Sequence, residues 1–134
     1  PEGSPLRSTV DQRLDRWSRD LMELAESAYQ NGDLDTAVKA AQTVPMRTAM
    51  FALAGDRMNQ WKQVWEQAED IYTRAKEAID RQEWTITLST ARELLKLGNR
   101  YWATTRYQDL MTDLQAAKDA EKAQRKAAKR AQTA

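Results

Sequence analysis

The chain has no cysteine and no histidine among its 134 residues. Those two absences remove the usual ligands of zinc, the commonest general base and the most reactive nucleophile, so catalytic triads and closed zinc sites are excluded. A disulfide framework is excluded with them. Glycine and proline are scarce, 4 and 3 residues respectively, too few for the turns of a β-sandwich. Strand-favouring runs are missing as well. The nearest, Trp84-Thr85-Ile86-Thr87, is short and lies inside a helical pattern. No apolar stretch approaches the roughly 20 residues that cross a bilayer, and no glycine-rich phosphate loop is present. A net charge of +1 gives no global field to recruit polyanions.

What the chain does have is charge and indole: 31% charged residues, five Trp and four Tyr. Charge at that density suits solvated helices, and the aromatic content is more buried payload than a disordered segment carries. The length fits one domain. Paired carboxylates such as Glu66 with Asp70 and Asp11 with Asp15 sit one helical turn apart, but Lys62 and Arg74 stand at the same spacing. They read as solvated helix pairs. No catalytic residue, metal ligand or cofactor site is expected, and the chain is not read as an enzyme.

The punctuation divides the chain into about five helices. The leader Pro1-Glu2-Gly3-Ser4, up to Pro5, reads as a disordered lead-in or cloning remnant. Apolar residues then recur in steps of three and four at Leu6, Val10, Leu14, Trp17, Leu21, Leu24, Ala25 and Ala28, which predicts one helix with that stripe toward the core. Asn31-Gly32-Asp33 ends it, Gly32 taking the left-handed cap and Asp33 capping the next helix. Leu34, Ala37, Val38 and Ala41 mark a short second helix, stopped by Val44-Pro45. Thr48 is the expected N-cap of a long third helix whose stripe runs from Met50 and Leu53 through Ala54, Met58, Trp61, Trp65, Ala68, Ile71, Tyr72 and Ala75 to Ile79. A break at Arg81-Gln82-Glu83 leads to a fourth helix with Trp84, Leu88, Ala91, Leu94 and Leu95. Gly98-Asn99 reads as its C-cap. The fifth begins near Tyr101-Trp102 and carries Tyr107, Leu110, Leu114 and Ala117.

An internal repeat runs through these elements. Leu6…Val10…Leu14…Trp17 resembles Met50…Ala54…Met58…Trp61, shifted by about 44 residues, and Ala25, Ala28, Ala37 and Ala41 have counterparts in Ala75, Ala78, Thr87 and Ala91. The two shifts differ, so a short insertion in the second copy's first helix is expected. Small residues at helix crossings let antiparallel helices approach closely, and Leu and Trp fill the seams. The Ala25, Ala28, Gly32, Ala37, Ala41 spacing resembles the tetratricopeptide pattern, Gln82 standing where a Gly would be in the second copy. The fold expected is all-α: tetratricopeptide-like antiparallel hairpins in a right-handed stack over residues 6–117, followed by a long C-terminal helix whose tail, residues 118–134, is basic.

Trp61-x-x-x-Trp65-x-x-Ala68-Glu69-x-Ile71-Tyr72, then Glu83-Trp84, then Gly98-Asn99-Arg100-Tyr101-Trp102-Ala103-Thr104-Thr105-Arg106-Tyr107, resembles a family of cyanobacterial helical-repeat proteins of unassigned function, over about residues 5–120. Its members carry membrane-spanning sequence outside this region, and some are described as chromosome-segregation ATPases. The resemblance implies a membrane-tethered parent with this domain as a soluble module, and it carries no catalytic residues. Nothing in the residues themselves supports an ATPase.

Three candidate surfaces follow. Trp61, Trp65 and Tyr72 either fill inter-helix seams or line a concave groove for a protein partner. Trp102, Arg106 and Tyr107 either belong to a capping helix or dock a neighbouring repeat. The basic tail, with Lys118, Lys122, Arg125, Lys126, Lys129 and Arg130, is either a solvated helix or a contact for phosphate or anionic lipid. It lacks the interleaved large apolar residues that would insert into a bilayer and the context for reading bases, and binding of nucleic acid or an anionic membrane through this helix is the alternative function. A protein-interaction or scaffolding module is the expected function.

Overall fold

The computed structural model describes residues 5–133, so the expected leader at residues 1–4 lies outside the described residues. The protein is all-α: five α-helices and, among the described residues, no strand. α1 spans Pro5–Gln30, α2 Leu34–Gln42, α3 Met50–Asp80, α4 Trp84–Arg92 and α5 Tyr107–Thr133. A 3-10 turn, Glu93–Lys96, follows α4, and a π turn, Trp102–Arg106, leads into α5. The chain forms two compact units, one up to Trp65 and one from Glu66 onward, with the boundary inside α3.

The turns after α1 and within α3–α4 are built alike, 50 residues apart. The Gly32 N–H donates to the Tyr29 carbonyl at 3.1 Å and the Asp33 N–H to the Ala28 carbonyl at 2.9 Å. In the second turn Gln82 donates to Ile79 and Glu83 to Ala78, both at 2.9 Å. These are the paired closing bonds of a left-handed helix cap. Gly32 holds φ 92, and Gln82, the one non-glycine residue with positive φ among the described residues, holds φ 59. A side chain in that region costs about 1 kcal/mol or more, so the second turn forms against the preference of its own residue. The hairpin's packing and hydrogen bonds over-determine it. Both short helices start from an acidic cap position, but only Asp33 uses its side chain. Its carboxylate accepts from the Thr36 N–H at 3.1 Å and from the Thr36 hydroxyl at 2.6 Å. Those bonds, the hydroxyl's first, hold the Asp33 carboxyl below its ordinary value.

The 50-residue shift also matches the interiors. Ser18, Ala25, Ala37, Ala41 and Val44 are buried in the first unit, and Ala68, Ala75, Thr87, Ala91 and Leu94 in the second. One shift serves from Ser18 onward, so no insertion is needed there. The matched positions lie on the buried face, not on the Leu6…Trp17 stripe. Two of these buried residues are polar and satisfied within their own helix. The Ser18 hydroxyl donates to the Leu14 carbonyl at 2.7 Å, and the Thr87 hydroxyl to the Glu83 carbonyl at 2.9 Å. A hydroxyl satisfied by its own helix costs little to bury and keeps the side chain small at the crossing.

Several expected placements change. α1 buries Ser18, Met22, Ala25 and Tyr29, whereas Leu6, Val10, Trp17 and Leu24 stay exposed. Leu24 points away from the buried face; for Leu6, Val10 and Trp17 the reason is length. At 1.5 Å per residue α1 is about 39 Å long and α2 about 13 Å, so α2 covers only the last third of its partner. Leu53 and Leu95 are likewise exposed. Thr48 does not cap α3: it is buried, and its hydroxyl donates back to the Pro45 carbonyl at 2.7 Å. Gly98, at φ 79, does end the segment after α4, but Asn99 opens the next helix. Its Oδ1 accepts from the Trp102 N–H at 2.9 Å, an N-cap bond made by a fully buried side chain.

Candidate functional site

In the first unit, Trp61 is core. It is 3% exposed, and its ring stacks on Tyr29 with centroids 5.4 Å apart and planes at 22°. Its indole N–H donates to Glu26 Oε2 at 3.2 Å. Trp65, one turn later, is half-buried and tilts against the same Tyr29 at 6.3 Å. Tyr29 comes from the last turn of α1, so the hairpin cap is also what aims this ring at α3. Of the two indoles only Trp65 presents surface. Trp61 supports that surface from beneath.

In the second unit, Tyr72, Trp102 and Arg106 form one cluster. Trp102 is 2% exposed and meets Tyr72 edge-on at 6.0 Å and Tyr101 edge-on at 5.8 Å. The Arg106 guanidinium lies over the Tyr72 ring at 4.1 Å from its centroid and 5.2 Å from that of Trp102. Asp109 pairs with it at 3.8 Å. The π turn builds the cluster: the Tyr107 N–H reaches back five residues to the Trp102 carbonyl, and the extra residue is taken up between the Trp and the Arg. Tyr107 stands half-buried at the cluster's edge. On the same face of α3, Lys76 donates to Asp113 of α5, and that bond raises the Lys76 pKa above its ordinary value. The arrangement clamps α3 to α5 by cation–π, ion-pair and edge-on aromatic contacts. Trp102 is buried and Tyr72, Arg106 and Tyr107 are half-buried, whereas Lys76 and Asp109 are exposed.

An apolar stripe that the sequence pattern assigned to the core is uncovered. Leu6, Val10, Trp17 and Leu24 of α1 are 76%, 39%, 48% and 61% exposed. At 3.6 residues per turn they fall within about 40° of one another around the helix, roughly 110° from the buried face. Leu14 and Leu21, half-buried, line the side of this stripe nearer the core. On the other side of α1 a groove of about 380 Å³ has Met22, Met50 and Leu53 on its floor and Arg19, Glu23 and Arg57 on its rim. α1 therefore has one closed apolar face and one open apolar stripe.

The basic tail is helical to Thr133, and Lys122, Arg125, Lys126, Lys129 and Arg130 are all exposed. With Lys118 they lie within an arc of about 140° on α5, opposite Ala120, Gln124, Ala127 and Ala131. No carboxylate interrupts the run from Lys122 to Arg130, although Arg125 pairs back to Glu121. Among the described residues no group of three or more acidic side chains is placed to hold a metal ion, and no helix is long and apolar enough to cross a membrane. No protein-family model, curated protein or solved structure matches the chain.

Proposed function

We propose that this chain is a non-catalytic interaction module of tetratricopeptide-like helical hairpins, and that it docks a protein partner on the open apolar stripe of α1. The single observation that carries the reading is the half-exposed Trp17 set among Leu6, Val10 and Leu24. Contiguous apolar surface of this kind on a folded domain marks an interaction site, and a Trp anchor is what such sites use. The tetratricopeptide-like character rests on the repeated turn and the small buried residues at the crossings. The absence of His and Cys supports a role without chemistry. Membrane tethering of a longer parent protein belongs to the same proposal and rests on the family resemblance alone.

Photo-crosslinking tests the docking surface. A photoreactive residue in place of Val10 should give a discrete protein adduct in cells that make the protein, and the same residue in place of Arg16, on the polar side of α1, should not. Equal, diffuse labelling from both positions contradicts the proposal. A second reading has its own observation, the one-sided cationic face of α5, which suits an anionic lipid surface at about 1 kcal/mol per near-surface charge. Vesicle binding that vanishes at high salt and on removal of residues 118–134 would support it; salt-insensitive binding would not.

A further inference from the structure

We infer that the partner on α1 is a second copy of this chain, its α1 packed antiparallel to the first; the inference rests on the reading of that stripe as a docking surface. Val10, Leu14, Trp17, Leu21, Leu24 and Ala28 alternate in steps of four and three, the spacing that keeps a seam facing another helix. Within the chain that seam is covered on one side only, Leu21 and Ala28 packing toward the first unit's core while Val10, Trp17 and Leu24 face out. A facing helix with the same spacing covers Val10, Leu14, Trp17 and Leu21, the central part of the seam.

Charge selects the direction. Arg13 and Asp20 are exposed and lie along the outer flank of the seam, four residues before Trp17 and three after it. Among the described residues neither belongs to an ion pair, whereas Arg7 and Asp11 nearby are already joined to each other. In an antiparallel coiled pair the flanking residues that precede every second seam position, here Leu14 and Leu21, face their counterparts in the partner. With Leu14 set against Trp17 of the partner subunit and Leu21 against Val10 of the partner subunit, Arg13 stands beside Asp20 of the partner subunit. The two-fold axis repeats the pairing with roles exchanged. A parallel pair brings these flanks together in neither sense. The surface is thus complementary to itself under a two-fold rotation, as an isologous dimer requires.

Sedimentation equilibrium on the full 134-residue chain tests this. The mass should rise with concentration from 15.4 kDa toward twice that value. Trp17→Lys should hold it at the monomer value with helicity unchanged by circular dichroism, because Trp17 contributes little to the core. Arg13→Asp should weaken association about 30-fold, because both symmetry-related pairs are lost and both become repulsive, and the double variant Arg13→Asp with Asp20→Arg should recover to within about threefold of the parent. A dimer indifferent to both the Trp17 change and the charge exchange overturns the inference. So does a monomer at every concentration. In that case an adduct to another protein from position 10 leaves the docking surface standing, while the lack of any adduct removes both.

Discussion

Trp61→Ala is expected to lower the stability of the first unit by about 3–5 kcal/mol, read as a shift of the urea midpoint at constant slope. Three losses combine. The indole is almost wholly removed from water, so its transfer energy goes, and the cavity left between α1 and α3 is bounded by Tyr29 and cannot collapse without moving the hairpin cap. The stacking with Tyr29 goes with it. Glu26 loses the indole N–H that its carboxylate accepts. Small domains hold only about 5–15 kcal/mol in total, so this variant sits near its folding threshold. Loss of partner binding by Trp61→Ala therefore reports unfolding, and Trp65→Ala, whose side chain is half-buried, is the variant that probes surface. A Trp61→Ala chain with an unshifted midpoint would mean that the Tyr29–Trp61 contact is not part of the folded core.

Trp102→Ala should cost the second unit a comparable 3–5 kcal/mol. Trp102 is the central member of its cluster, with Tyr72 and Tyr101 edge-on to it and Arg106 above. Truncation leaves the guanidinium over Tyr72 alone and opens a cavity where the indole is now almost wholly buried. Arg106→Gln is the informative contrast. It removes the cation and keeps the apolar packing, so it should cost only about 0.5–1 kcal/mol, the range for a cation–π contact with partial solvent access. Equal losses for the two variants would assign the clamp to charge in place of packing.

The hairpin turns were the most legible part of the sequence, because Asn31-Gly32-Asp33 combines a left-handed glycine with a capping carboxylate, and each has a local physical cause. The second turn was legible by analogy only: Gln82 carries no signal for φ 59, which the surrounding packing imposes. The choice of buried face on α1 was misread for a specific reason. Leu14, Trp17, Leu21 and Leu24 share helical spacing with Ser18, Met22, Ala25 and Tyr29, and periodicity cannot rank two faces of one helix. Hydrophobicity favoured the first set, since Ser18 hides its polarity in a bond to Leu14; Ala25 belonged to the expected stripe and is buried. Crossing geometry favoured the second. The length of α2, 9 residues, accounts for the exposure of Leu6, Val10 and Trp17, and it was already visible between Asp33 and Pro45. The π turn had no sequence mark at all, so the meeting of Trp102 with Tyr72 was out of reach, although Tyr72, Trp102 and Arg106 were each singled out.

The account turns on α1 showing a closed apolar face and an open one at adjacent positions, Ala25 and Leu24. Because the chain has no cysteine, single replacements Ala25→Cys and Leu24→Cys can be compared by maleimide reaction in dilute native protein. The Leu24→Cys thiol should react at nearly the rate found in urea, and the Ala25→Cys thiol at least about 1,000-fold more slowly, waiting on unfolding that costs 5 kcal/mol or so. Equal rates, or protection at position 24 with free reaction at position 25, would contradict it.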